Sequence, residues 1–529
     1  MSNRVASEPM LFGHTNRFQW MVCIAGMAAF IIGMPSGTAA QQEPIAIVGA
    51  TIIDGNGGPP LLDGTILIEG ERISAVGPRS SVGVPDGTRV IDGAGKYVTP
   101  GFIDTNVHMS LAFGRSWTDT NARYWPQHDA LVLQGVQQQL KYGITTIRDS
   151  YGALLPMKRV KEAIERGEVL GPRMYVAGNI VGWGGPYSET FSGIPESELS
   201  LFEEQLNDSI TLGSGEEWIH MTPENLRTAV NEYLDFGPDF IKYGGTHHRS
   251  SPSPIMFSPR AQRVIIEETH KRGLVVETHA TSLEGLRLTI EAGLDLIQHP
   301  EVVGYRDITD ELVKMIVDRG VVCSLLPNRW TGEEWQLHLK QKREDLEEQA
   351  KPFRRAIPKT SAEIRREQEE GDQSPKDSYR RNAEKLIREG CIVSVGTDNL
   401  LWGLRAGGAP EFQRERDPVQ HHQEPGIGTI IGIEGLVELG MTASEAIVAA
   451  TKNGAIASKA LDEYGTLEVG KMADLLILRA DPLADITNIR SLELVIREGQ
   501  IIDPDILPTN PVTEAWGVAR FNDGSDELQ

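Results

Sequence analysis

Cysteine is scarce in this chain, three in 529 residues, and that rules out a disulfide-built scaffold. Positive charge is scarce too: 51 Lys and Arg face 74 Asp and Glu, a net charge of −23, which argues against a general nucleic-acid surface. The apolar run Trp20–Met34 falls short of the roughly 20 residues that span a bilayer, so no permanent membrane association is expected. What is present is length and ordinary globular composition, 40% apolar and 24% charged. At roughly 100–200 residues per domain, the chain holds two or three domains, or one barrel with an accessory, and is too large for most small binding modules.

The first forty residues stand apart. Arg4 and Arg17 precede the apolar run, and Pro35-Ser36-Gly37-Thr38-Ala39-Ala40 follow it. A basic flank, a short apolar core and small residues read as a signal peptide over residues 1–40, hence a secreted or periplasmic protein. An uncleaved anchor is the alternative. Cys23 lies inside the run, not at its small-residue end, so it is not a lipid-attachment site. Cys323 and Cys391 then either pair or remain buried thiols.

Residues 45–77 and 465–502 share one texture, short β-branched runs broken by Gly, Pro and Asp. Two such segments at opposite ends of the chain predict a small composite β-sandwich domain from residues 41–97 and 462–510. Between them the pattern alternates. Strand-like runs at 97–108, 144–149, 173–177, 240–243, 274–279, 296–299, 321–325 and 392–397 are separated by helical stretches such as 130–142, 262–272 and 283–292. Eight strands alternating with helices over 98–461 predict an α/β fold, a (β/α)8 TIM barrel. Insertions at 180–222 and 331–376 follow the third and seventh strands, and 511–529 is a tail. The second insertion is rich in both charges and reads as a solvated helical excursion. Because it leaves the catalytic face of a barrel, a lid is the functional alternative.

Polar residues collect at the ends of these strands. Asn106 and His108 end the first, Lys242 sits in the fourth, His279 ends the fifth, His299 the sixth, and Asp398 follows the eighth. Any one of them alone is weak: a strand-end histidine is more often a hydrogen-bonded core residue, Lys242 reads equally as a snorkelling lysine, and Asp398 as a helix cap. Together they converge on one rim, and imidazole and carboxylate donors on separate rigid strands suit Zn²⁺ or a similar divalent ion. His247, His248, His421 and His422 follow the fourth and eighth strands near the same mouth. Trp183, Tyr187 and Phe191, with Leu325–Trp330, suggest a pocket for a partly apolar group. Tyr243, His247, Arg329 and Trp330 are the candidate substrate contacts. Arg329 pairs either with a substrate carboxylate or within the protein.

These residues, with GTILIEGERISAVG near the start, Val98–Asp104 (VTPGFID) entering the barrel and GTLEVGKMADL leaving it, resemble the amidohydrolase superfamily over nearly the whole mature chain. The look is nearest its prolidase-like and imidazolonepropionase-like branch. The resemblance implies a binuclear site. Lys242 would be carbamylated by CO₂ and bridge two metals, Zn the leading candidate. His279 and His299 would hold one ion, and the strand-one pair with Asp398 the other. A metal-bound hydroxide would attack the carbonyl while Asp398 shuttles the proton. The departure is Asn106, where the family pattern has histidine. An amide oxygen is a weak donor, and three outcomes stay open: two metals, one metal held by Lys242, His279 and His299, or a barrel that has lost catalysis.

The resulting expectation is a metal-dependent hydrolase of C–N bonds in a small amide, cyclic amide or dipeptide. A catalytically degenerate binding protein is the alternative, and a deaminase a more distant one. The family's habit of homo-oligomers makes a monomer a poor default.

Overall fold

The structure is a computed structural model describing residues 43–111, 117–248, 253–350, 375–401 and 422–507. The leader 1–40, the tail 511–529, His421 and residues 351–374 of the second insertion lie outside these. Two kinds of sheet organise the described residues.

One is an eight-stranded mixed sheet that joins the two ends of the chain. Strands Ile45–Ile52, Leu61–Glu69, Arg72–Pro78, Arg89–Asp92 and Tyr97–Pro100 combine there with Leu475–Leu478, Leu492–Arg497 and Gln500–Ile502. Leu475–Leu478 is buried throughout, and the two-residue period of a strand explains why. Leu475 and Ile477 join a core with Ile45, Ile47, Ile66 and Ile68, while Leu476 and Leu478 face the larger core of the parallel strands and helices.

The other kind is parallel. Strand one (Phe102–His108), two (Ile144–Asp149) and three (Arg173–Val176) form one sheet, and four (Phe240–Gly244), five (Val275–His279), six (Leu296–Gln298), seven (Val322–Leu325) and eight (Ile392–Val395) form another. Backbone hydrogen bonds link their edges. Asp239 N–H donates to Val176 O at 2.8 Å, between strands three and four. Beyond strand eight, Thr397 and Asp398 N–H donate to Asn106 O at 3.2 and 2.8 Å. Helices separate the strands, including His128–Lys141, Leu154–Glu165, Pro223–Asp235, Pro259–Lys271, Leu283–Ala292, Asp310–Arg319 and Pro375–Arg388. This is a TIM-barrel-like α/β fold. Several helices open on side-chain caps, with Thr222, Ser258, Ser282 and Thr309 each accepting a first-turn N–H, a contribution of about 1 kcal/mol apiece.

The run 97–108, read as one strand, is two. Gly101 N–H donates to Asp474 O at 2.9 Å, and the chain passes there from the mixed sheet into the parallel one. A Cβ at Gly101 would lie 2.1 Å from Thr145 Oγ1, so only glycine fits the crossing. Gly135, inside the helix after strand one, likewise leaves room for Leu401 Cδ2, 2.3 Å from where its Cβ would sit. Of the second insertion, Gly332–Ala350 is helical, and the insertion's last two residues open the helix Pro375–Arg388. Residues 180–222 include a two-residue strand, Ile180–Val181, paired with Lys242 and Tyr243. Cys323 and Cys391 are free thiols, and among the described residues no helix is long and apolar enough to cross a membrane.

Candidate functional site

Asn106, His108, Lys242, His279, His299 and Asp398 come together at the C-terminal ends of the parallel strands, in two groups. In the first, Asp398 Oδ1 accepts from Asn106 Nδ2 at 2.7 Å and lies 3.2 Å from His108 Nε2, while Oδ2 accepts from Arg329 Nη2 at 3.2 Å. Turning the Asn106 amide over would press its Oδ1 against the carboxylate, so the amide donates and its oxygen points away, buried without a hydrogen-bond partner. In the second, His279 Nδ1 and His299 Nε2 face each other at 3.1 Å, rings edge to face. Their outer nitrogens, His279 Nε2 and His299 Nδ1, are buried without hydrogen-bond partners. His299 and Asp398 both hold left-handed backbone, φ +39° and +56°, a strain that non-glycine residues keep where surrounding structure enforces it.

Electrostatics at the site follow from burial. It pushes the imidazole of His299 down to about 3, and that of His279 well below its ordinary range with help from neighbouring His299 and His248. Both rings are therefore neutral at pH 7, the form that binds a cation. Burial also lowers Lys242, opposed by the charges of Glu277, Asp398 and Asp149. For Asp398 burial acts upward, but the Arg329 guanidinium and the hydrogen bond from His108 hold it well below the usual carboxylate range. Asp149, which accepts Met109 N–H at 2.5 Å, is pushed by burial up to about 8.

Beneath this rim lies a polar floor. Arg148 Nη2 donates to Glu277 Oε2 at 2.8 Å with both side chains inaccessible, and the guanidinium covers the Phe240 ring at 3.9 Å. Gln298 Nε2 reaches Glu277 Oε1, Ser150 Oγ and Thr105 O. The sequence reading missed this layer, although Glu277 lies two residues before His279 on the same side of strand five. It also passed over Glu301, whose Oε1 accepts Leu326 N–H and Trp330 Nε1–H and so fixes the turn carrying Arg329.

The candidate substrate contacts fare differently. Tyr243 is corrected: it points away from Lys242, as neighbours on a strand must, and its hydroxyl donates to Gln262 on the helix behind. Trp330 is buried against Tyr379 and bonded to Glu301. His247 N–H donates to Pro254 O at 2.9 Å. Arg329 pairs within the protein, with Asp398. An aromatic wall stands beside His279 instead. Trp183 lies 4.8 Å from its ring, Phe191 stacks on His248 at 4.3 Å, and Tyr151 joins both Trp183 and Phe191. His248 Nδ1 is 3.0 Å from Phe191 O.

Among the described residues, no three His, Cys, Asp or Glu side chains form a metal-ready group. Buried Lys242, whose charge acts on both imidazoles, is a candidate for a further donor beside His279 and His299. The facing nitrogens of two neutral imidazoles, with a buried lysine alongside, fit a divalent ion in donor chemistry.

A fold of parallel strands with polar residues gathered on their C-terminal rim belongs to a known class, and the family model for the amidohydrolase family matches residues 97–502. The chain belongs to the amidohydrolase family and is an amidohydrolase-type enzyme. It is 24% identical over 464 residues to ochratoxinase of Aspergillus niger, covering 85% of this chain and 84% of that one. Among solved structures it is similar to molinate hydrolase (TM-score 0.75, 29% identity, 89% of this chain and 97% of that). Phenylurea hydrolase B gives TM-score 0.76 and 28% identity, covering 89% of this chain and 99% of that.

Proposed function

We propose that this chain hydrolyses the C–N bond of a small amide or urea bearing a planar apolar group, at a site holding one divalent metal ion. The observation that carries the reading is the pairing of His279 Nδ1 with His299 Nε2 beside buried Lys242. These three would hold the ion, Zn²⁺ being the leading candidate, with Lys242 as its CO₂-derived carbamate. Only a neutral amine adds CO₂, and burial favours that form. The bound ion would supply Lewis acidity to water and to the substrate carbonyl.

The remaining steps belong to the chain. Asp398, kept ionised by Arg329 and 23% exposed at its side chain, takes a proton from the attacking water and delivers it to the leaving nitrogen. Asn106 orients that carboxylate by donating to Oδ1. Trp183, Phe191 and Tyr151, buried beside His279, back this side of the site and exclude water. The relatives named for molinate, phenylurea and ochratoxin support an apolar substrate carried on an amide-type bond. We further propose that the parallel strands close as one eight-stranded barrel over 98–461, that the mixed sheet is the composite sandwich domain, and that residues 1–40 direct export.

The test is a substrate panel of anilides, N-acyl amino acids, dipeptides and aryl ureas, assayed for amine release by Zn²⁺- and bicarbonate-loaded protein. Turnover lost on chelation and restored by metal supports the reading. Silence across the panel in fully loaded protein sinks it, and release of ammonia alone points to deamination.

A further inference from the structure

The strand-one side of the site has a cation of its own. Arg329 Nη2 lies 3.2 Å from Asp398 Oδ2 and 3.5 Å from the Asp398 carbonyl oxygen, while Asn106 Nδ2 and His108 Nε2 crowd the other carboxylate oxygen. A second metal ion on this side would need Asp398, the anionic donor that Arg329 already pairs. It would also draw on His108 Nε2, which lies 3.2 Å from the same carboxylate oxygen that Asn106 contacts. The Asn106 amide presents hydrogens, not its oxygen. The turn that holds Arg329 is fixed from below: Glu301 accepts both Leu326 N–H and Trp330 Nε1–H, and Asn328 Nδ2 donates to Thr397 O at 3.0 Å. A guanidinium held on a pinned turn, with its own Nε buried and without a hydrogen-bond partner, is a built feature.

Resting on the one-metal reading above, we propose that Arg329 is a positioning residue whose guanidinium takes the place of a second metal ion at Asp398, excluding that ion and holding the carboxylate in line for proton transfer. Arginine suits the role because it stays charged at every working pH and its planar fork matches a carboxylate. Asn106 and Arg329 then act as a pair: the first removes a ligand, the second supplies the charge.

The experiment is calorimetric titration of Zn²⁺ into full-length protein already loaded with one equivalent in the presence of bicarbonate, with elemental analysis of metals per chain. Wild type is expected to hold one ion and show no second binding event. Arg329→Met is expected to gain a second site at least tenfold tighter than any in wild type. Arg329→Lys, which keeps the charge, is expected to stay at one ion, and this contrast separates charge from packing. Asn106→His in the Arg329→Met background should tighten the second site further. Two ions in wild type overturn the proposal. So does an Arg329→Met protein that is folded, retains one ion and gains none. Two ions in wild type also overturn the one-metal reading but leave a metal-dependent hydrolase, while the Arg329→Met result leaves the one-metal reading intact. Wild type that takes up no metal overturns the hydrolase reading and this inference with it. If Arg329→Met does not fold, Glu301→Gln, which weakens the support of the same turn, is titrated instead. A folded Glu301→Gln protein that still shows no second binding event counts against the proposal.

Discussion

Replacing Arg148 by Met leaves the Glu277 carboxylate sealed in the floor of the site without its cation. The pair is 2.8 Å apart, with side-chain exposures of 1% and 0%. At an effective dielectric of about 20, two unit charges at that distance attract by about 6 kcal/mol. Desolvation costs several kcal/mol per ion and offsets most of that gain, so the pair as a whole contributes little net stability. Breaking it is another matter, because Glu277 would then be left with a hydrogen bond from the neutral Gln298 amide in place of its ion pair. Arg148→Met should cost about 3–5 kcal/mol, and the double replacement Arg148→Met/Glu277→Leu should recover most of the loss. The assay is a double-mutant cycle in urea on apo protein. A second readout follows from position: the unpaired Glu277 charge keeps Lys242 protonated, so metal uptake by the single variant should fall. A cost below about 1 kcal/mol, or a double variant as weak as the sum of the singles, would refute the reasoning.

Gly101→Ala drives a Cβ into Thr145 and should destabilise by about 1–3 kcal/mol; Thr145→Ser/Gly101→Ala should regain part of it in the same denaturation assay. Burial raises the carboxyl of Glu301 to about 7 from an ordinary 4.5. Between these values the native state binds the extra proton, so the contribution favours folding at low pH and is lost as pH rises through 7. Glu301→Gln should flatten apo-protein stability between pH 4.5 and 7, and an unchanged slope would count against it. Asp398→Asn should lower kcat by about 10²–10⁴ while elemental analysis still finds the metal held by Lys242, His279 and His299. Loss of metal together with activity would instead make Asp398 a ligand.

Much of the site was legible in the sequence because strand ends are local. A two-residue period puts Asn106 beside His108 and sends Lys242 and Tyr243 to opposite faces, so the Tyr243 expectation was already in tension with that period. The Asn106 substitution was legible as a weaker donor. Its partner was not, because Arg329 reaches Asp398 across 69 residues of chain, a contact that no local pattern encodes. The Arg148–Glu277 floor escaped for a related reason: a single charge in an apolar strand reveals burial, but not what it pairs with. The break at Gly101 follows from Thr145 in the next strand, again a tertiary fact. The parallel strands and the three helical stretches named, 130–142, 262–272 and 283–292, lie within a few residues of observed elements, strand one apart. The joining of both chain ends in one mixed sheet followed from their shared texture.

The account's central claim is that Lys242, His279 and His299 hold a metal ion. Elemental analysis of wild-type protein, purified without chelators and loaded with Zn²⁺ and bicarbonate, tests it most directly. The account predicts one ion per chain, absent from Lys242→Ala protein loaded in the same way. No bound ion in loaded wild type, or an ion retained unchanged by Lys242→Ala, would contradict it.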